Sequence, residues 1–198
     1  MKTDRPTTKI IAGKYKGKVL ELPSLDVTRS SKSVLKESLF NVLQFDIINK
    51  VFIESFAGSG SIGLEAISRG AKRAYFIELD RNSYQILIRN CKAVDIDKCQ
   101  TVQGNTFVQT PLILEFLKNS KEEIVLYVDP PFDYREGMED IYKKSFNMIS
   151  QIEANNIFMI IVEHVSNLEM PEILGKFSLD KTRKFGKSSL SYYTYTKE

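Results

Sequence analysis

Val51-Phe-Ile-Glu-Ser-Phe-Ala-Gly-Ser-Gly-Ser-Ile-Gly63 is the stretch that decides the fold. Its first residues are apolar in the pattern of a buried strand, and Gly58, Gly60 and Gly63 follow in G-x-G-x-x-G spacing. Leu64-Glu-Ala-Ile-Ser68 then continues as a helix. A strand, a glycine turn and a helix in this order bring backbone N–H groups close to a nucleotide-like ligand, and a Cβ in the turn would block that approach.

A carboxylate after the next strand gives this motif more weight. Arg73-Ala-Tyr-Phe-Ile77 predicts a second strand, and Glu78 follows it twenty residues after Gly58. A carboxylate in this position can accept both hydroxyls of a ribose. The sequence therefore predicts a site for an adenosine-type cofactor.

A second motif carries the chemistry. Ile124-Val-Leu-Tyr-Val128 predicts a buried strand, and Asp129-Pro-Pro-Phe132 follows it directly. Ligands of open α/β sheets bind beyond the carboxyl ends of the strands, so we expect this motif beside the glycine turn. Pro130 and Pro131 fix the backbone and leave carbonyls as acceptors, so that Asp129 and a carbonyl can hold both hydrogens of an exocyclic amino group. Phe132 can stack on a planar base, and Asp129 can stabilise positive charge that develops on an attacking amine.

The order of predicted elements favours an α/β fold with a doubly wound, mostly parallel sheet. A helix is expected from Leu112 to Leu117 with Pro111 in its first turn, and another over roughly 136–150. Ile157 to Val162 predicts a fifth strand that ends in Glu163-His164, and we interpret His164 as a hydrogen-bonded edge residue and not as a catalytic base. The segments 177–185 and 190–196 predict an antiparallel C-terminal hairpin.

Length and composition indicate one globular domain with a small appendage. The chain has 198 residues, of which 42% are hydrophobic, and no apolar run approaches the ~20 residues that a membrane span requires. The N-terminus has no apolar stretch of a secretory signal. Cys91 and Cys99 have neither metal-ligand nor redox spacing, so they predict reduced cysteines. We therefore expect a cytoplasmic protein with no bound metal and no membrane partner.

Charge is distributed unevenly along the chain. Residues 1–36 carry nine Lys and Arg against three Asp and Glu, and residues 171–198 carry six against three. Residues 37–170 carry thirteen against nineteen. Basic ends on an acidic centre suggest contact with a polyanion, although Lys-rich termini can also serve solubility alone.

The basic N-terminal region has two parts. Residues 9–18 predict a short β-hairpin that presents Lys14 and Lys16 around Tyr15, a pattern that suits phosphate contact with base stacking. A helix then begins near residue 29, and Arg29, Lys32 and Lys36 lie in its first turns. Because cations are unfavourable at a helix start, these three suggest a ligand.

Several motifs resemble known enzymes. Three segments resemble motifs of the class I S-adenosylmethionine-dependent amino-methyltransferases: Glu54-Ser-Phe-Ala-Gly-Ser-Gly60, Phe76-Ile-Glu-Leu-Asp80 and Asp129-Pro-Pro-Phe132. Both ends of the chain narrow the resemblance to the RsmD family, through residues 10–17, 28–41, 162–164 and 183–190. The resemblance implies a Rossmann-like methyltransferase, monomeric, that methylates N2 of a guanine in 16S rRNA within a small-subunit particle. It also implies an RNA-contacting extension at 1–45 and a catalytic domain at 46–198.

The resemblance also assigns site residues by position. Cofactor contacts are implied for Glu54, Phe56, Ala57, Gly58, Ser59, Gly60, Glu78 and Asn105. Among these, Gly58 and Gly60 would line the methionine and ribose, Glu78 would hold the ribose hydroxyls and Asn105 would lie near the adenine N6. The flipped guanine would enter a pocket formed by Asp129, Pro130, Pro131 and Phe132. Contacts to rRNA are implied for Lys14, Tyr15, Lys16, Arg29 and Lys32.

Two positions depart from the family pattern, and three other functions remain open. Glu54 stands where an aspartate is usual, which puts its contact with the cofactor's amino group in doubt. Arg29-Ser-Ser-Lys32 replaces Arg-Pro-Thr-Thr, which puts the rigidity of that loop in doubt.

A DNA adenine or cytosine amino-methyltransferase lacks support because 198 residues leave no room for a target-recognition domain. A nicotinamide dehydrogenase leaves the Asp129 motif unexplained, and a non-enzymatic ribosome-assembly factor would not need it.

Overall fold

The computed structural model describes residues 6–23, 29–131 and 140–196. Within these residues the chain forms ten strands, five α-helices and one 3-10 turn at Ile96–Lys98. In chain order they are β1 (Thr7–Lys9), β2 (Val19–Glu21), α1 (Arg29–Leu43), β3 (Val51–Ser55), α2 (Ser61–Ser68), β4 (Arg73–Glu78), α3 (Arg81–Val94), β5 (Cys99–Gln103), α4 (Thr106–Leu117), β6 (Ile124–Val128), α5 (Ile141–Ser150), β7 (Ile157–Val165), β8 (Ile173–Leu174), β9 (Phe177–Phe185) and β10 (Ser188–Tyr195).

Eight strands form one sheet in the order β5-β4-β3-β6-β7-β10-β9-β8, and β1 pairs with β2 separately. The five strands from β5 to β7 are parallel, and β10, β9 and β8 are antiparallel to their neighbours. The parallel strands end together at what we call the carboxyl edge of the sheet, and their starts define the amino edge. The predicted fold, a mostly parallel sheet with an antiparallel C-terminal hairpin, is confirmed.

Both faces of the sheet are covered, which explains why β3 and β6 are buried at every residue. One face packs against α1, α2 and α3 through a cluster that includes Leu39, Phe40, Phe52, Phe76 and Tyr127. The other packs against α4 and α5 through a cluster that includes Ile53, Leu114, Leu126, Ile149 and Ile160. Successive side chains of a strand point to opposite faces of the sheet, so each apolar strand contributes to both hydrophobic clusters.

Helix α4 begins six residues before the predicted start at Leu112. The side chain of Asn105 caps it by accepting from the backbone N–H of Phe107 at 2.9 Å. Pro111 consequently lies inside the helix and not in its first turn, so the carbonyl of Phe107 has no helical N–H to accept. The predicted boundary was wrong because proline signals a helix start more often than it occurs in a helix interior.

The N-terminal segment is fastened to α2 by the buried side chain of Glu65. Its carboxylate accepts the backbone N–H groups of Ile11 at 2.8 Å and Ala12 at 3.0 Å. It also accepts from Arg69 Nε at 2.8 Å and forms an ion pair with Lys36 Nζ at 3.4 Å. Four groups from three segments therefore converge on one carboxylate that is fully buried.

This arrangement corrects the interpretation of Lys36. The residue is only 3% exposed, and its Nζ donates to the carbonyl of Lys9 at 2.9 Å as well as pairing with Glu65. Burial lowers the pKa of Lys36, with Glu65 acting in the opposite direction. Lys36 therefore holds β1 against α1 and α2 and is not placed to contact a ligand.

The loop between β1 and β2 lies at the amino edge. The backbone N–H of Lys14 donates to the carbonyl of Ser68 at 2.7 Å, and the hydroxyl of Tyr15 donates to Asp95 at 2.6 Å. Ser68 ends α2 and Asp95 follows α3, and both helices return the chain from the carboxyl edge to the amino edge. Lys14 and Tyr15 are consequently at the end of the sheet opposite Asp129.

Candidate active site

Three strand ends bring the predicted motifs together. In the parallel register, Ser55 at the end of β3 lies beside Ile77 of β4 and Val128 of β6. Glu78 and Asp129 are the next residues on those two neighbours, so they flank the glycine loop that follows Ser55. The backbone N–H of Asp129 donates to the carbonyl of Ser55 at 3.4 Å, which extends the sheet pairing by one residue. The sheet thus places the two sequence motifs side by side.

The glycine loop exposes its backbone at this edge. Gly58 has a φ of 55°, and a Cβ built there would meet no atom within 4 Å, so open space lies next to its backbone. Phe56 also has a positive φ, 66°, which is uncommon for a residue with a bulky side chain. A Cβ on Gly63 would lie 2.4 Å from a ring carbon of Phe76, so this glycine is required for close packing of α2 on β4.

Glu78 connects the glycine loop to the end of β4. One carboxylate oxygen accepts the N–H of Gly58 at 2.6 Å, and the other accepts the N–H of Asp80 at 2.7 Å. The side chain is half-buried. An ionised carboxylate offers about four acceptor positions, so each oxygen retains capacity for a further donor such as a ribose hydroxyl.

Glu54 reaches from β3 to the first turn of α2. Its Oε2 accepts the N–H of Gly63 at 2.8 Å, its Oε1 accepts that of Ile62 at 3.4 Å, and the residue is 3% exposed. A carboxylate at a helix N-terminus satisfies free N–H groups and interacts favourably with the helix dipole. The additional methylene of glutamate relative to aspartate is used here to reach α2. Its contact with a cofactor stays a prediction.

The buried side chain of Asn90 in α3 hydrogen-bonds to the glycine loop. Its Nδ2 donates to the carbonyl of Ser59 at 2.8 Å and to that of Glu21 at 3.0 Å, while its Oδ1 accepts the N–H of Glu21 at 2.9 Å. The side chain is 2% exposed. One buried amide therefore joins the glycine loop to β2 of the N-terminal segment. No local feature of the sequence indicates this contact, since the partners of Asn90 are 31 and 69 residues away.

The Asp129 motif follows the end of β6 at the same carboxyl edge. Asp129 and Pro131 are half-buried and Pro130 is buried, so the motif is packed but accessible. Phe132 lies outside the described residues. Beneath the motif, the hydroxyl of buried Tyr127 donates to Glu163 of β7. Burial raises the pKa of Tyr127 well above its usual value, and the charges of Glu163, Asp129 and Glu54 raise it further.

Tyr127 and Glu163 are the site residues that sequence reasoning missed. A signal existed, because a carboxylate that continues the apolar run from Ile157 to Val162 needs a buried partner. His164 is also buried, and its ring nitrogens bond to the Val165 carbonyl and the Ser191 hydroxyl, each at 2.9 Å. Its interpretation as a hydrogen-bonded residue agrees with these contacts, although β7 is inside the sheet and not at its margin.

The remaining predicted residues are divided between the two edges. Asn105 caps α4 at the carboxyl edge, and Ala57 donates its N–H to the Ile77 carbonyl there at 2.8 Å. The backbone of α1 begins at this edge, but the side chains of Arg29 and Lys32 lie outside the described part of the structure. Lys16 is exposed at the amino edge with Lys14, and the half-buried ring of Tyr15 packs on the core.

Two further findings concern what the described residues do not contain. No group of three or more His, Cys, Asp or Glu side chains in them is arranged to hold a metal ion. None of the helices that the structure describes is both long enough and apolar enough to span a membrane.

Comparison with solved structures supports the fold. A putative methyltransferase from Escherichia coli, yhhF, superposes with a TM-score of 0.73 at 28% identity over 98% of this chain and 100% of that one. An RNA methyltransferase from Salinibacter ruber, in complex with S-adenosyl-L-homocysteine, has a TM-score of 0.56 at 16% identity over 83% of this chain and 92% of that one. The second likeness concerns the fold alone.

Comparison with sequences identifies the family. The family model described as conserved hypothetical protein 95 matches residues 8–194. The ribosomal RNA small subunit methyltransferase D of Escherichia coli strain K12 is 30% identical over 194 residues, which cover 96% of this chain and 90% of that protein. The protein of the same name from Haemophilus influenzae is 36% identical over 167 residues, 83% of each chain. The chain therefore belongs to the RsmD family, and the resemblance predicted from its motifs is confirmed.

Proposed function

We propose that this protein transfers a methyl group from S-adenosylmethionine to the exocyclic N2 of a guanine in 16S rRNA. The observation that carries the proposal is the convergence of the glycine loop, Glu78 and the Asp129 motif at neighbouring strand ends. Relatives named ribosomal RNA small subunit methyltransferase D support the rRNA substrate. The proposal includes a cytoplasmic monomer that acts on a small ribosomal subunit particle.

The residues at the carboxyl edge fit the cofactor. Gly58 has open space beside its backbone, and the Glu78 carboxylate retains acceptor capacity for ribose hydroxyls. Phe56, Ala57, Ser59 and Gly60 form the rest of the loop, and Asn105 begins α4 beside it. Phe107, in the first turn of α4, meets Phe56 edge to face with ring centroids 5.7 Å apart, which supplies an apolar wall for a purine.

The site is also acidic where positive charge must be accommodated. Glu54, Asp129 and Glu163 all act electrostatically on Tyr127, which places three carboxylates around one buried ring. When bound, S-adenosylmethionine supplies an electrophilic methyl group on a sulfonium. Carboxylates fixed before the substrate arrives stabilise positive charge without reorganisation during the reaction.

Asp129 performs the central role. Its carboxylate and the carbonyl of Pro130 would accept the two hydrogens of the guanine amino group and orient the nitrogen lone pair toward the methyl group. As the nitrogen becomes cationic, Asp129 would stabilise the charge and take the departing proton. Pro131 stiffens the segment, and Phe132 would stack on the base after it leaves its helix.

Basic residues of the N-terminal segment would contact the rRNA backbone. Arg29 and Lys32 belong to the first turn of α1 and would contact RNA near the reacting base. Lys14 and Lys16, at the amino edge, would contact a more distant part of the RNA. Tyr15 is engaged by Asp95, so its role would be to position these lysines.

The test of function uses labelled S-adenosylmethionine and small-subunit particles from cells that lack this gene. The expected product is N2-methylguanosine in 16S rRNA, identified by mass spectrometry of the nucleosides. D129N should lower kcat by about 10²-fold, because it removes the charge that opposes the developing cation. Its affinity for S-adenosylmethionine should stay within twofold of the wild type.

Two controls make this result specific. D97N removes an exposed carboxylate near the amino edge and should methylate at the wild-type rate. K14E/K16E should raise KM for particles several-fold but leave methylation of a short RNA around the target unchanged. Normal turnover by D129N would exclude the proposed mechanism, and transfer to DNA alone would exclude the substrate.

A further inference from the structure

The turn between β9 and β10 lies at the carboxyl edge, although it is distant in sequence from the glycine loop. β10 pairs antiparallel with β7, and its first residue, Ser188, lies opposite Val165, the last residue of β7. Ser188 also lies opposite Phe185, the last residue of β9. The turn that joins the two strands therefore projects from the same edge of the sheet as Asp129.

This turn is short, exposed and well defined. Gly186 and Lys187 connect the strands, and the φ of 63° at Gly186 suits the first position of a two-residue hairpin turn. Both residues are exposed, and a Cβ on Gly186 would meet no atom within 4 Å. The tip is consequently open to a large ligand.

The turn carries a concentration of positive charge. Arg183, Lys184 and Lys187 are all exposed. In the part of the chain that the structure describes, Lys184 and Lys187 form no ion pair, whereas Lys181 pairs with Asp180 at 3.2 Å. Two ammonium groups therefore face solvent with no carboxylate to neutralise them.

The charges occupy both faces of the sheet. Arg183 lies opposite Leu190, and its guanidinium donates to the hydroxyl of Ser38 on α1 at 3.4 Å. Lys184 lies opposite Ser189 and therefore points to the other face. Phe185 is half-buried against the core, so the turn offers cations but no exposed aromatic ring among the described residues. Such a surface suits contact with phosphate groups, which positions RNA, and does not suit recognition of the bases.

The carboxyl edge needs such charges if it is to receive RNA. Glu54, Glu78, Asp129 and Glu163 all lie at this edge. Their combined charge repels a phosphate backbone. Lys14 and Lys16 cannot offset this charge, because they lie at the amino edge. The β9–β10 turn brings cations from outside that acidic cluster.

We propose that Lys184 and Lys187, with Arg183 beside them, hold the phosphate backbone of RNA next to the target nucleotide. This inference rests on the proposed function, because it assumes that RNA is the methyl acceptor at this edge. It adds a contact surface from the C-terminal hairpin at the edge that holds Asp129, whereas Lys14 and Lys16 of the N-terminal segment lie at the opposite edge.

The test compares two variants with the same change of charge. K184E/K187E reverses the charge of the turn. K92E/K121E reverses two exposed lysines near the amino edge, one at the end of α3 and one just before β6. With small-subunit particles, K184E/K187E should raise KM by about 10- to 100-fold, and it should lower the slope of log affinity against log salt by about 1.5–2. Its kcat at saturation and its affinity for S-adenosylmethionine should not change, and K92E/K121E should match the wild type.

Each other result has a distinct meaning. Equal effects of the two variants on KM would overturn the proposal, because they would reflect net charge alone. Weaker methylation of particles by K184E/K187E with unchanged affinity for protein-free 16S rRNA would place the turn against an acidic protein and also overturn it. A wild-type protein that binds the cofactor but methylates no RNA would refute the proposed function, and this inference with it.

Discussion

The buried amide of Asn90 permits a sharp test of how the fold supports the cofactor loop. The variant N90D keeps the acceptor for Glu21 N–H but loses both donor bonds, to the Ser59 carbonyl at 2.8 Å and the Glu21 carbonyl at 3.0 Å. Each buried group left without a partner costs about 1–3 kcal/mol, so the free energy of unfolding should fall by about 2–6 kcal/mol. For a domain of this size the midpoint of thermal unfolding should fall by about 4–24 °C.

The same variant should also weaken cofactor binding without any contact to the cofactor. Ser59 lies between Gly58 and Gly60, so a freed carbonyl loosens the loop that we propose to hold S-adenosylmethionine. We expect the dissociation constant, measured by titration calorimetry, to rise about tenfold, which corresponds to about 1.4 kcal/mol. A buried carboxyl has a raised pKa, so the defect should be larger at pH 8 than at pH 5, where the protonated group can donate.

Asn156 provides the matched control. Its Nδ2 also donates to two carbonyls, those of Leu117 and Glu122, each at 3.0 Å, but at the amino edge. N156D should therefore lower the free energy of unfolding by a similar amount in urea titrations and leave cofactor affinity unchanged. If folded N90D bound the cofactor as tightly as N156D, the proposed support of the loop by Asn90 would be refuted.

Three further predictions concern buried groups. In the described structure the buried hydroxyl of Tyr192 has no hydrogen-bond partner, whereas that of Tyr193 donates to the Pro171 carbonyl at 2.7 Å. Y192F should therefore raise the free energy of unfolding by about 1 kcal/mol, and Y193F should lower it by about as much. Equal effects of the two variants in urea titrations would contradict this. Burial raises the pKa of both phenols to about 12, so ionisation of these phenols leaves the free energy of unfolding unchanged below pH 10 and lowers it as the pH rises from 10 through 12, by up to about 2–3 kcal/mol for each phenol. Y192F/Y193F should not show this loss when unfolding is followed against pH. G63A places a Cβ 2.4 Å from the Phe76 ring and should cost about 1–3 kcal/mol, and a thermal midpoint equal to that of the wild type would show that α2 can move.

Local sequence predicted the elements whose signals are local. The apolar strands, the glycine spacing and the Asp129 motif all depend on residues close in sequence, and parallel pairing then brings their ends together. Glu78 could be placed by its separation from Gly58, and their hydrogen bond at 2.6 Å agrees with that placement. These residues account for most of the candidate site.

The rest depends on contacts between distant residues. Glu65 accepts N–H groups 53 and 54 residues away, and neither partner has a sequence feature that identifies it. The same contacts bury Lys36, which the local pattern had indicated as a ligand-binding cation. The composition of the Lys14 loop indicated contact with phosphate, but composition does not state which edge of a sheet a loop will reach. The division at residue 45 stays a prediction, and described residues on its N-terminal side, such as Ile10, Leu20 and Leu39, share a hydrophobic cluster with the sheet.

The short β8 has a consequence for solubility. It pairs only with Phe177 and Ser178, so the outer backbone of β9 from Asp180 to Phe185 has no neighbouring strand in the described residues. An open strand edge is a template for pairing with another chain, and charged side chains discourage such association. Four of these six residues are charged. The cations of β9 that we propose to contact RNA would thus also keep the free protein from aggregating, and replacing them with apolar residues would create an aggregation-prone edge.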